Sequence, residues 1–142
     1  MNMVLPDEGL EVWADFLLQG IPSLAGNLSV ALYANNYTPS VLTTVTDLTF
    51  ASFPGHTALL FNNYSWIRDA TVGHDSFVRY TVPPSWTCTG GTGQLVYGWA
   101  LLYAHFPTAL VLAAQKFNSP HNMTLGAVET LDPFRFAIKT LV

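Results

Sequence analysis

"LVYGWALLYAHFPTALVLAA", residues 95–114, is the one stretch of the chain apolar enough to suggest a membrane span, and its reading decides the fold. About 20 consecutive apolar residues would cross a bilayer as a helix. Here Gly98, His105, Pro107 and Thr108 interrupt the run, and no Lys or Arg flanks its start. Two strands joined by a turn fit better, because strands covered on both faces read as continuous apolar runs. No membrane partner is expected.

Working outward, "LSVALY" at 28–33 alternates Leu28, Val30 and Leu32 with Ser29, Ala31 and Tyr33, the period of a strand with one face on a core. Further strands are predicted at 56–62, 76–82, 94–103, 109–115, 122–128 and 134–141, separated by Gly73, Pro83, Pro84, "TGGTG" at 89–93, Pro107, Pro120 and Pro133. Short strands at this spacing predict an all-β fold, an antiparallel β-sandwich of jelly-roll or Greek-key type. "DLTFASF", 47–53, opens on a capping Asp and predicts a single helical turn.

One α-helix is predicted, over "LPDEGLEVWADFLLQG" at 5–20. Pro6 suits a first turn, Asp7 and Glu8 favour the positive end of the helix dipole, and Gly20 can end it. Leu10, Trp13 and Leu17 share a face. The interior Gly9 costs about 1 kcal/mol relative to Ala, so this helix needs a surface to pack on. The whole, 1–142, reads as one domain with an N-terminal arm and helix at 1–20.

Composition limits the function. Charged residues make up 10% of the chain, against about 25% in ordinary soluble domains, while AVILMFWYC reach 50%. A surface so poor in charge exposes neutral and apolar area, and large patches of that kind mark contact with partners or other copies. The net charge is −4 and the five basic residues are scattered, so no nucleic-acid partner is expected. "MNMVLPDEGL" lacks a basic n-region and does not read as a secretory signal.

Catalytic readings fail one by one. "CTGGTGQL" lacks the Lys and the following helix of a phosphate loop, and reads as a strand connection. His74, Asp75 and Ser76 are adjacent, whereas a nucleophilic triad is assembled by the fold, so "GHDS" reads as a turn. His56, His74, His105 and His121 share no metal-ligand spacing, and Cys88 stands alone. No enzyme activity, metal or cofactor is expected. "NNYTP", 35–39, reads first as a strand end, since Asn closes turns locally and Pro39 cannot donate to a ladder. Trp66 and Trp86 fall near predicted strand ends, where an exposed ring can anchor a partner or stack on a sugar.

The ordered set "VLPDEGLEVWADFLL" (4–18), "LSVALYANNYTPS" (28–40), "DLTFASFPGH" (47–56), "VYGWALLYA" (96–104), "LVLAAQKF" (110–117) and "GAVETLDPFRFAI" (126–138) resembles small tailed-bacteriophage virion structural proteins over nearly the whole chain. The chain departs from that pattern in "TFASFPGH", which lacks its glutamate, at His56, and at Gln115 and Lys116. The resemblance implies a virion protein assembled in the bacterial host cytoplasm. Joined to the composition, it predicts a capsid decoration (cement) protein, a homotrimer on the capsid outer surface that clamps the major capsid protein lattice. A tail, baseplate or fibre-associated protein is the alternative, and a carbohydrate-binding module using Trp66 or Trp86 is a further one. The expected contacts are Met3, Val4, Leu5 and Trp13 from the arm and helix, Asn35, Asn36, Tyr37 and Pro39 from the loop, and Trp66 and Trp86.

Overall fold

A computed structural model describes residues 3–9, 28–61, 66–68, 76–104 and 109–138. The fold is all-β and antiparallel, and the apolar run that opened the question is two strands. Nine strands are described: β1 (Leu28–Tyr33), β2 (Leu59–Leu60), β3 (Trp66–Arg68), β4 (Ser76–Tyr80), β5 (Ser85–Thr87), β6 (Gln94–Tyr103), β7 (Leu110–Met123), β8 (Val128–Thr130) and β9 (Arg135–Ile138). They form a four-stranded sheet ordered β2-β1-β6-β7, a three-stranded sheet β3-β4-β9 and a two-stranded sheet β5-β8.

The four-stranded sheet is covered on both sides, which is why β6 and β7 read as unbroken apolar runs. On one side Leu28, Val30, Leu32, Trp99 and Leu101 meet Tyr80 of β4, Trp86 of β5, Phe61 and Phe134, as the two layers of a sandwich do. The Phe134 ring stands edge-on to Trp99 at 4.8 Å and to Phe61 at 5.4 Å. On the other side Ala31, Tyr33, Ala100, Leu102, Val111 and Ala114 are covered by Tyr37, Val45, Leu48 and Phe50.

That second cover comes from "NNYTP" and the segment after it. A 3-10 turn at Val45–Asp47 replaces the helical turn expected over 47–53. Asp47 closes the turn rather than opening one: its carboxylate accepts from the backbone N–H of Thr44 at 2.8 Å. Residues 49–51 then run extended beside the end of β1, with Ala34 N donating to Thr49 O at 2.7 Å and Ala51 N to Leu32 O at 2.8 Å. A free β edge won over local helical tendency, because each ladder bond satisfies a backbone group that burial would otherwise leave unpaired.

Between this segment and β2 the edge of β1 has a gap, and His56 fills it. Its Nε2 accepts the Leu32 backbone N–H at 3.1 Å, so the ring stands in for a strand partner. The imidazole lies between Phe53 and Trp86, with centroids at 5.3 and 5.9 Å. Desolvation pulls its pKa below the ordinary 6.5, opposed by a backbone hydrogen bond with Ala51. The fold therefore holds the neutral ring. The unfolded chain takes up the proton first, so stability is whole above pH 6.5 and declines as pH falls through that value towards the folded-state pKa. Denaturation midpoints measured from pH 7.5 down to 5 should fall in this window, and more gently in His56→Phe, which cannot titrate. Equal slopes for the two proteins would remove His56 as the cause.

The N-terminal segment docks on the free edge of β7. Val4 and Ala114 exchange two backbone bonds of 2.8 and 2.9 Å, Asp7 N donates to Val41 O at 2.8 Å, and Glu8 Oε1 accepts from Val111 N at 2.6 Å. Residues 7–9 are helical, Leu5 and Pro6 precede the helical turn, and residues 10–20 of the predicted helix lie outside the described residues. A β-bulge makes the docking possible: Leu101 pairs with Ala113 and Leu102 with Val111, leaving Leu112 as the extra residue. A Cβ on Gly9 would lie 2.7 Å from backbone atoms of Val111 and Leu112, so the glycine is what lets the turn sit there.

Other expectations need correction. The strands predicted at 109–115 and 122–128 are one strand, β7, followed by a turn and the short β8. Pro120 does not end β7, because it falls where β7 has left its partner and no N–H is needed. The strand expected at 56–62 shrinks to β2, since His56 and Thr57 turn to serve the core. The three-residue β3 and β5 were not predicted. Ser85–Thr87, directly after two prolines, pairs with Val128–Thr130 far along the chain, a partner no local pattern reveals.

Candidate functional site

A second, larger bulge in β7 builds a cleft. Val96 pairs with His121 and Gly98 with Lys116, so the single residue Tyr97 faces four residues of β7, 117–120. The extra residues loop away from β6, and the two feet of the loop, Phe117 and His121, come together. Their rings stack 4.5 Å apart at 10°. Bulges re-aim side chains in this way.

The turn after β7 brings the chain back. Ala127 N donates to Thr124 O at 2.8 Å and Gly126 N to Cys88 O at 2.8 Å, which sets β8 beside the end of β7. Glu129, 9% exposed, thereby meets His121: Nδ1 of the imidazole lies 2.5 Å from Oε2 of the carboxylate. An ionised carboxylate only accepts, so Nδ1 donates in this contact, and in the neutral tautomer Nε2 keeps its lone pair. The His121 side chain is 43% exposed and lines a cleft of about 530 Å³ between β7 and residues 129–134. Trp99 and Phe134 make its floor, Gln115 and Asp132 add polar groups, and Met3 of the arm stands at its border.

The arrangement suits binding. An oriented imidazole, two carboxylates and aromatic rings are present, and among the described residues no Ser, Cys or Lys lines this cleft. Among the described residues no group of three or more His, Cys, Asp or Glu is placed to hold a metal ion.

The residues singled out from sequence are scattered, and most are occupied within the chain. Met3 is 37% exposed, Val4 is bonded to Ala114, and Leu5 is half-buried. Trp13 lies outside the described residues. Asn35 is a brace: Nδ2 donates to Asp47 O and Oδ1 accepts from Thr49 N, both at 2.8 Å. Asn36 accepts from Lys116 Nζ at 2.6 Å, which ties the loop to β7. The Tyr37 hydroxyl lies 3.2 Å from Thr43 Oγ1, and Pro39 is buried. Trp66 opens β3 opposite Tyr80, with its side chain outside the described residues.

Trp86 is not a displayed ring. It is 2% exposed and its Nε1 donates to Thr57 O at 2.7 Å. Along β5 the alternation turns Ser85 and Thr87 outward and the Trp86 ring into the core between the layers. A glycan platform at Trp86 is thereby excluded.

Sequence reasoning missed His121, Glu129 and Phe117, treating the four histidines as unrelated. The available signal was Pro120 inside an extended run, which marks a bulge as readily as a strand end. No protein-family model matches the chain, and no curated protein matches its sequence.

Proposed function

We propose that the chain is a phage virion structural protein that works by adhesion, as a capsid decoration protein seated on the major capsid protein lattice, with trimeric self-association. The observation that carries this reading is the surface. On a chain with only 10% charged residues, Leu42 is 76% exposed, Leu60 72% and Leu125 73%. Val41, Val82 and Val128 are each more than half exposed as well. Apolar side chains left bare on a charge-poor surface are what a subunit buries against neighbours. The order of the motifs along the chain directs that reading to a virion.

The internal bonds of the arm move the contact set. Val4 and Glu8 are committed to β7, so Val41 and Leu42, held next to the arm by the Asp7–Val41 bond, are the better candidates for lattice contact together with Met3. Many weak seats on a repeating lattice then give tight attachment through multivalency. Quantitative mass spectrometry of purified particles tests this. A copy number that follows the number of capsid subunits is expected, and Leu42→Asp should lower it while the free chain stays folded. A low copy number matching tail symmetry would move the protein to the tail, and its absence from particles would end the virion reading.

A further inference from the structure

We propose that the cleft under the β7 bulge is a receptor for a guanidinium group, an arginine side chain presented by an extended partner polypeptide. The inference rests on the cleft alone and is independent of where the chain works.

The argument starts from what the walls offer. Glu129 and Asp132 bring two carboxylates, and among the described residues no Lys or Arg lines the cleft. Lys116, on the neighbouring stretch of β7, is held by Asn36 and Thr38 at 2.6 and 3.2 Å. With Nδ1 donating to Glu129, the neutral tautomer of His121 presents an acceptor at Nε2. The charged side chains of the cleft are therefore acceptors, and the remaining wall is aromatic and aliphatic, with Gln115 and Thr130 as its neutral polar groups. A ligand that only donates, carries positive charge and has a flat face to lay on rings is the complement. Guanidinium has five donors, pairs with carboxylates in a fork and stacks on aromatic faces. An ammonium ion shares the charge without the plane. A neutral sugar would bring as many acceptors as donors.

Geometry supports the same ligand. Phe117 and His121 stack face to face, so no planar group fits between them and stacking of a ligand falls to an outer ring face. The volume of about 530 Å³ lies within the range of small-ligand sites and exceeds what one guanidinium needs, leaving room for the aliphatic stem along Met3 and Leu131. A polypeptide can reach the cleft, because the arm already approaches it along the β7 edge: Val4 is bonded to Ala114, and Met3 borders the opening.

The test is an NMR titration of the full chain, following the ring signals of His121 and Phe117. The probe is a capped Gly-Arg-Gly peptide, with the same peptide carrying citrulline, a neutral isostere, as its control. Saturable shifts are expected with arginine, at least about tenfold weaker with citrulline, and weaker at high salt, as a charge-assisted contact requires. Asp132→Asn, at an exposed position, should weaken arginine binding by a similar factor. Glu129→Gln, which can still accept from His121, should weaken it without unfolding the chain. Equal shifts with citrulline would overturn the proposal, as would no shift with either peptide. A response of the same signals to a neutral oligosaccharide without one to arginine would also overturn it, in favour of a sugar site.

Discussion

Gly98→Ala is expected to cost about 3 kcal/mol of stability or more, near the top of what overpacking a core does. An added Cβ would sit 2.2 Å from the backbone carbonyl oxygen of Gln115, 2.3 Å from the Tyr33 hydroxyl oxygen and 2.5 Å from the Tyr33 ring. Gly98 pairs with Tyr33 on one side and Lys116 on the other, in the middle of the four-stranded sheet, so neither neighbour can retreat. Tyr33 is fully buried, its hydroxyl donates to Tyr37 O at 3.4 Å, and burial pushes its pKa up to about 12. It stays a neutral donor at any working pH. Chemical denaturation measures the loss. Trimming the tyrosine in Tyr33→Leu should not rescue Gly98→Ala, because the clash with the Gln115 carbonyl remains. A Gly98→Ala protein with an unchanged midpoint would show that β6 and β7 are not packed in this way.

The second large effect is at Trp86. Trp86→Ala should cost about 3–5 kcal/mol, the usual range for an aromatic removed from a core. The indole packs between the layers, stacks on His56 at an interplanar angle of 26° and satisfies the Thr57 carbonyl. Trp86→Phe should lose less, keeping most of the buried area while leaving that carbonyl unpaired. Thermal or denaturant unfolding of the three proteins gives the order wild type, Phe, Ala. The same experiment separates a folding role from a displayed one: a surface ring replaced by alanine would leave the midpoint within about 0.5 kcal/mol of wild type.

Much of the sheet was legible in the sequence. β1 and β6 were predicted nearly to the residue, because their apolar patterns run over six and ten residues and each pattern is a local property of the chain. The turn after β1 was legible too, and its asparagines brace it within the chain. Short strands were not legible: β3 and β5 have three residues each, too few for a period to show. The helical turn expected over 47–53 failed for the opposite reason. Its local signal was read correctly as a place where the chain bends, but the open edge of β1 gave residues 49–51 better partners. The candidate site was almost illegible, since His121 and Phe117 sit on a strand where alternation says nothing about a loop-out, and Glu129 reaches His121 only around a turn.

What the sequence by itself determined is the class of the fold, the sheet strands buried on both faces, and a chain poor in charged residues. Each of these is written in composition or in a short-range period. Tertiary structure alone decided which aromatic rings are hidden, that the arm lies along β7, and that His121, Glu129 and Phe117 share a cleft. Those outcomes depend on register between strands that are neighbours in space and distant along the chain. A register shift of a few residues, as at 117–120, changes which side chains meet without leaving a mark on the local pattern.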